Sequence, residues 1–220
     1  MNKSRNLRIK NISSKATFVA SIAILGLCFV TLFFVNQQKL RDIYLLASYQ
    51  VCPVNVEQQS KFSLSSELDK IEYIDSNTKK NIEKAINRAS IKTGLSQKLI
   101  LLLIKQESAF RPYVVSPVGA KGLTQLMPST ALYFCNLNVK DIFGVEKNVL
   151  CGSSYLRELI SEFDGDIELA LAAYNSGPNR IREIQKKYNK FGNFNAIKNF
   201  VPKETKHYVS EIGKYYRKVV

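Results

Sequence analysis

The 220-residue chain has one histidine, His207, and that scarcity limits its chemistry. A single imidazole excludes a His-rich metal site and weighs against a Ser/His or Cys/His hydrolase. No CxxC pair is present to suggest zinc binding or redox exchange, so neither a metal nor any other cofactor is expected. There is no sustained strand-type alternation, repeat or low-complexity tract. Nor does any basic arm or aromatic-and-basic interleave resemble a base-stacking platform, and nucleic acid is not an expected partner.

Acidic residues are also missing from the first fifteen positions, where Lys3, Arg5, Arg8, Lys10 and Lys15 contribute +5 of the formal net charge of +14. The other +9 (14 − 5) is spread over the rest of the chain. Ala16 to Val35 follows without a charged side chain, long enough at about 1.5 Å per residue to cross a hydrocarbon core of about 30 Å. A cleaved signal peptide has a shorter apolar stretch and a small-x-small site, which is absent after Phe34, and bulky Leu27 before Cys28 argues against lipoprotein processing. The charge asymmetry keeps the N-terminus cytoplasmic and sends everything after about residue 36 across the membrane. This predicts a basic cytoplasmic segment (1–15), a single-pass membrane helix (16–35), a juxtamembrane helix and linker (36–70), and one extracytoplasmic domain (71–220).

Export changes what the cysteines mean. Cys52, Cys135 and Cys151 would lie where a disulfide is permitted. Cys135 and Cys151, in neighbouring predicted helices of one domain, are the preferred pair, and burial of all three as small apolar side chains is the plain alternative.

Within 71–220 the patterning is helical throughout. Ile82, Ala85, Ile86 and Ala89 form an apolar stripe with cap candidates Asp75 and Ser76 before it and Gly94 after it. Ser96 caps a second helix in which Leu99 to Ile104 are apolar without interruption, as suits a helix surrounded by others. Further stripes run through Val149, Gly152, Leu156, Leu159, Ile160 and Phe163, through Ile167, Ala170, Leu171 and Tyr174, and through Val209, Ile212, Tyr216 and Val219. The fold class is all-α, with room for one short hairpin near 111–124.

Glu107 stands in helical register with Leu103 and Leu99 at the end of the most apolar helix. A carboxyl desolvated there holds its proton to higher pH, as a general acid must. By position alone it reads equally well as a surface acid where the helix leaves the core. Pro112, Pro117, Gly119 and Gly122 then form a loop that presents Gln125 and Met127 before Pro128 opens a helix. Gln125 offers the donor and acceptor that a sugar hydroxyl or N-acetyl group requires. Tyr174 and Asn175 sit at a helix junction, where a tyrosine by itself reads as core packing.

Gln106 to Phe110, Ser116 to Ala120, Gly122 to Ala131, Asn148 through Gly152 to Leu156, Ala172 to Pro178, and the closing Val201 to Val209 occur in an order and spacing that resemble the catalytic domain of soluble-type lytic transglycosylases, which is similar in fold to goose-type lysozyme. The resemblance spans roughly residues 75–215. It implies a lysozyme-like domain that cleaves the β-1,4 bond between N-acetylmuramic acid and N-acetylglucosamine in peptidoglycan and leaves a 1,6-anhydromuramoyl end. It makes Glu107 the single acid/base, with Ser108, Ser116, Gln125, Met127, Tyr174 and Asn175 binding or shaping the glycan site and Tyr174 placed to hydrogen-bond the acid or the substrate. Peptidoglycan strands are the implied partner, which places the exported domain in the periplasm of a bacterium with the anchor in the inner membrane; the membrane, through residues 16–35, and a secretion or other envelope complex are the further partners. Thr124 and Ser176 depart from the family's frequent Met and Ala. Hydrolysis of the same bond, and a non-catalytic wall-binding or assembly role, are the alternative functions.

Overall fold

The computed structural model describes residues 62–217. The basic segment 1–15, the expected membrane helix 16–35 and most of the segment 36–70 lie outside these residues. Among the described residues no helix is long and apolar enough to cross a membrane.

The described residues form an all-helical domain. Helices α1 (Leu64–Asp69), α2 (Ser76–Thr93) and α3 (Gln97–Ser108) come first, then a long loop. After the loop come α4 (Pro128–Cys135), a single 3-10 turn (Asp141–Phe143), and α5 (Val145–Glu162), α6 (Ile167–Ser176), α7 (Pro178–Lys187), α8 (Phe194–Ile197) and α9 (Lys203–Arg217). α1 falls where the sequence suggested linker: Ser63 caps it, and Leu64 and Leu68 are buried in the core.

The helix ends follow local chemistry. The side chains of Asp75 and Ser96 accept hydrogen bonds from the backbone N–H groups of Thr78 and Leu99, supplying partners that a helix N-terminus lacks. Gly94 ends α2 at φ +71°, a conformation that costs glycine little, and Pro128 opens α4 where no N–H is needed.

All six residues from Leu99 to Ile104 are buried, so α3 has no solvent face along that stretch. α1, α2, α5 and α9 pack against it, and Leu68, Ile82, Ile86, Val149, Leu156, Val209 and Ile212 share its apolar cluster. A second, smaller apolar cluster joins Leu126, Ala131, Ile142 and Cys151, with Cys135, Leu137 and Phe143 against it. α4 buries only Ala131, and Leu132 and Tyr133 face solvent. What fixes so weakly packed a helix is a disulfide between Cys135 and Cys151, whose Cα atoms are 5.8 Å apart. It ties the end of α4 to α5 beside the small cluster.

The loop between α3 and α4 contains two isolated antiparallel bridges, Val115 with Lys121 and Lys121 with Leu126, where a short hairpin was allowed for. Gly122 donates to the Val114 carbonyl (3.0 Å), and Lys121 and Leu126 exchange two bonds (2.9 and 3.0 Å), so this is an ordered structure.

Replacing Cys135 and Cys151 together by Ser should lower unfolding stability by about 3 kcal/mol, the chain-entropy value for a closed loop of roughly this size. Denaturant unfolding of the double variant beside the parent measures it. An unchanged midpoint would mean that α4 is held by other contacts.

Candidate active site

α3 ends in two consecutive left-handed residues, Ala109 (φ 48°) and Phe110 (φ 62°). Such conformations are costly for residues with a side chain, and buried Phe110 helps hold this one. The reversal stops α3 one residue after Glu107, so the acid stands at the last turn instead of continuing into a longer helix.

Glu107 as a residue is half-buried, open enough for a substrate to reach. Its carboxyl has a pKa raised to about 7: burial is the largest cause, a hydrogen bond from Tyr208 opposes it, and the negative charge of Glu204 adds to it. The Tyr208 hydroxyl donates to Glu107 Oε1 at 2.5 Å from the buried face of α9. Burial and the neighbouring Glu107 push the phenols of both Tyr208 and Tyr174 well above their ordinary value, so both remain donors at neutral pH.

Tyr174 does not hold the acid. Its hydroxyl donates to the Thr124 carbonyl at 2.9 Å, and Tyr208, absent from the expected site, makes the bond to Glu107. The sequence signal for Tyr208 was its place in the closing Val201 to Val209 segment, beside the apolar stripe Val209, Ile212 and Tyr216. A buried tyrosine on such a stripe looks like core until its partner is known, and that partner is 101 residues earlier in the chain.

The remaining expected residues serve varied ends. Gln125, left-handed at φ 47°, donates through Nε2 to the carbonyls of Val114 (3.2 Å) and Gly122 (2.8 Å), so its two N–H groups brace its own loop and only its oxygen is left for a ligand. Ser116 Oγ accepts from the Ala120 N–H (3.0 Å), and buried Ser108 returns its hydroxyl to the Ile104 carbonyl (3.1 Å) within α3. Asn175 Oδ1 accepts from the Thr205 hydroxyl (2.8 Å), joining α6 to α9. Met127, 40% exposed, is the residue before α4.

Asn148 has no sequence signal beyond its place at the start of the Asn148 to Leu156 motif, yet it organises the loop. Its Oδ1 accepts from Thr124 N and Thr124 Oγ1 (both 2.8 Å), and its Nδ2 donates to the carbonyls of Lys121 (3.1 Å) and Ile142 (2.8 Å). Thr124 is fully buried, and a Cβ on Gly152 would come within 2.6 Å of Thr124 Cβ. Threonine at 124, asparagine at 148 and glycine at 152 therefore fit one another.

Asp141, Glu146 and Asp166 are engaged elsewhere and offer no second carboxylate. Asp141 pairs with Lys147 (2.6 Å), Glu146 pairs with Arg88, and Asp166 caps α6 and accepts from Phe194 N (3.1 Å). His207 lies exposed on α9. No His, Cys, Asp or Glu cluster among the described residues could hold a metal ion.

A helical lysozyme-like domain with one desolvated carboxyl beside a buried phenol defines the class. The family model for the transglycosylase SLT domain matches residues 84–197, and the chain belongs to that family. It is 40% identical over 95 residues to the soluble lytic murein transglycosylase of Salmonella typhimurium, a match covering 40% of this chain and 15% of that protein. It is 38% identical over 107 residues to the membrane-bound lytic murein transglycosylase F of Desulfosudis oleivorans, covering 46% and 23%. The fold is similar to that of an inactive mutant of the lytic transglycosylase Slt from Pseudomonas aeruginosa, with a TM-score of 0.55 and 28% identity over 69% of this chain and 26% of that one. The matched region is thus under a quarter of the length of both curated relatives.

Gly152→Ala should destabilise the domain by about 1–3 kcal/mol, because Thr124 cannot retreat without breaking its bonds to Asn148. Thermal unfolding reads the effect, and a midpoint equal to the parent's would show that the loop has slack.

Proposed function

We propose that this chain is a peptidoglycan lytic transglycosylase in which Glu107 serves as both acid and base. The observation that carries the reading is the Glu107 carboxyl, held by Tyr208 at 2.5 Å with a pKa of about 7, in a family whose named relatives are lytic murein transglycosylases. The substrate is the β-1,4 bond from N-acetylmuramic acid to N-acetylglucosamine.

Protonated Glu107 gives its proton to the departing glycosidic oxygen as the C1–O bond breaks. The muramoyl N-acetyl oxygen closes on C1, in place of the second carboxylate that most glycosidases need. The C6 hydroxyl oxygen then displaces it, and the hydroxyl proton passes to the Glu107 carboxylate, which restores the acid and leaves a 1,6-anhydro ring without consuming water. Tyr208 keeps the carboxyl oriented through both transfers. Gln125, Met127, Ser116, Tyr174 and Asn175 line and brace the glycan site, and Ser108 supports the end of α3. Residues 16–35 anchor the enzyme in the inner membrane with the catalytic domain on the periplasmic side.

Glu107→Gln keeps the shape and the hydrogen-bond acceptor but has no proton to give. Release of anhydro-muropeptides from purified sacculi should fall by at least about 10²-fold, the lower range for general acid catalysis. Undiminished release would sink the assignment. Mass spectrometry of the parent's products separates the two chemistries, since hydrolysis adds one water to each product.

The pH response has a definite sign. A folded-state pKa above the ordinary value means that Glu107 costs the fold nothing while protonated, and that stability falls as pH rises through about 7. Glu107→Gln should therefore raise the thermal midpoint at pH 8 more than at pH 5. In parallel, kcat/KM of the parent should fall on the alkaline side of about pH 7. In Tyr208→Phe that limb should move to higher pH, because the lost hydrogen bond had lowered the pKa. A limb that moves to lower pH would contradict this role for Tyr208.

A further inference from the structure

One interleave of basic and aromatic residues exists after all, in the stretch from α7 to the start of α9. Between Ile184 and Lys203 there are five lysines and no acid. Lys186 and Lys187 close α7, where the helix dipole alone would favour them, but Lys190, Lys198 and Lys203 lie beyond that helix. Lys198 reaches only the amide oxygen of Asn195 (3.1 Å), and among the described residues no carboxylate forms an ion pair with any of the five. The same stretch exposes its rings. Phe191 is 66% exposed, while Tyr188 and Phe200, each 39% exposed, stack at 4.1 Å with Lys187 Nζ 5.4 Å from the Tyr188 ring.

We propose that this patch is a second peptidoglycan-binding site outside the catalytic groove, in which the rings take the C–H faces of the amino sugars and the lysines take the carboxylates of stem peptides. The inference rests on the transglycosylase reading. Charge decides the sign of the partner, because unpaired lysines with no acid among them call for an anion. An acidic membrane surface would satisfy charge and rings, but Asn189, Asn193, Asn195 and Asn199 lie between those rings. Amides are costly to carry into the acyl boundary and well suited to sugar hydroxyls.

Continuity with the groove supports the same occupant. Lys203 begins α9, whose Thr205 bonds Asn175 and whose Tyr208 bonds Glu107. Five positions separate Lys203 from Tyr208, about 7.5 Å along the helix axis. A strand leaving the groove over the start of α9 meets the patch, which would hold the enzyme on the wall between cleavages.

Binding is read by co-sedimentation with purified sacculi, using the full chain carrying Glu107→Gln so that nothing is cleaved. Adding Lys186→Gln, Lys187→Gln and Lys190→Gln, all at exposed positions, should weaken binding roughly tenfold. Amidating the sacculus carboxylates should weaken the Glu107→Gln chain similarly and leave the lysine-substituted chain little changed. Adding Phe191→Ser instead should weaken binding to native and amidated sacculi alike. Equal binding with and without the lysine substitutions overturns the proposal. So does a lysine effect confined to vesicles of anionic phospholipid, which would assign the patch to a membrane. With Glu107 intact, the lysine substitutions should leave cleavage of short soluble glycan fragments unchanged, and a slowed rate would place these lysines in the groove instead. A parent chain that bound sacculi through the patch but released no product would overturn the transglycosylase reading and not this one.

Discussion

Six successive apolar residues in one helix can leave water together only if other helices surround that helix, and this demand places nearly everything else in the domain. Leu99 to Ile104 are buried on every side, with α1, α2, α5 and α9 packed around α3. Burying large apolar side chains contributes about 1.5–3 kcal/mol each, far more than any single polar contact at the site. The same packing sets the chemistry. It carries Glu107 at the end of α3 into surroundings that oppose its charge, and it brings α9 close enough for Tyr208 to donate to it. Core and acid are therefore two consequences of one arrangement.

A separate and weaker structure holds the loop that follows the acid. It relies on directed bonds more than on area: Asn148 connects Thr124, Lys121 and Ile142, Tyr174 adds a bond to the Thr124 carbonyl, and Cys135–Cys151 ties α4 alongside. Buried polar groups that are all partnered make a loop rigid without a large core. Thr124 and Gly152 show how closely these parts are matched, since the space glycine leaves is the space threonine fills.

Much of the fold was legible residue by residue. The caps at Asp75 and Ser96, the stop at Gly94 and the start at Pro128 are local signals, and the structure uses each as read. α1 was hidden because Leu64 and Leu68 are too few to make a periodic stripe, and only the core they enter explains their helix. At the site, Glu107 stood out through its place at the end of the most apolar helix together with the motifs that follow it. The roles of Tyr174 and Tyr208 could not be told apart in that way: both lie on apolar stripes, Tyr208 buried and Tyr174 partly so, and which one reaches the acid depends on how α6 and α9 pack.

By itself the sequence determined the longer striped helices, the caps at Asp75 and Ser96 and the acid at the end of the most apolar helix, because each follows from spacing within about one turn of chain. Only the tertiary structure decided that Tyr208 orients Glu107, that Gln125 turns its N–H groups inward and that Asn148 clamps the loop. Apart from the local bond of Gln125 to the Gly122 carbonyl, these bonds join groups brought together by packing, and no local pattern specifies which distant atom will be in reach. The raised pKa of Glu107 belongs to both. Its helix allowed desolvation and a surface position alike, and burial in the packed domain, the opposing hydrogen bond from Tyr208 and the added charge of Glu204 exist only once α9 has docked.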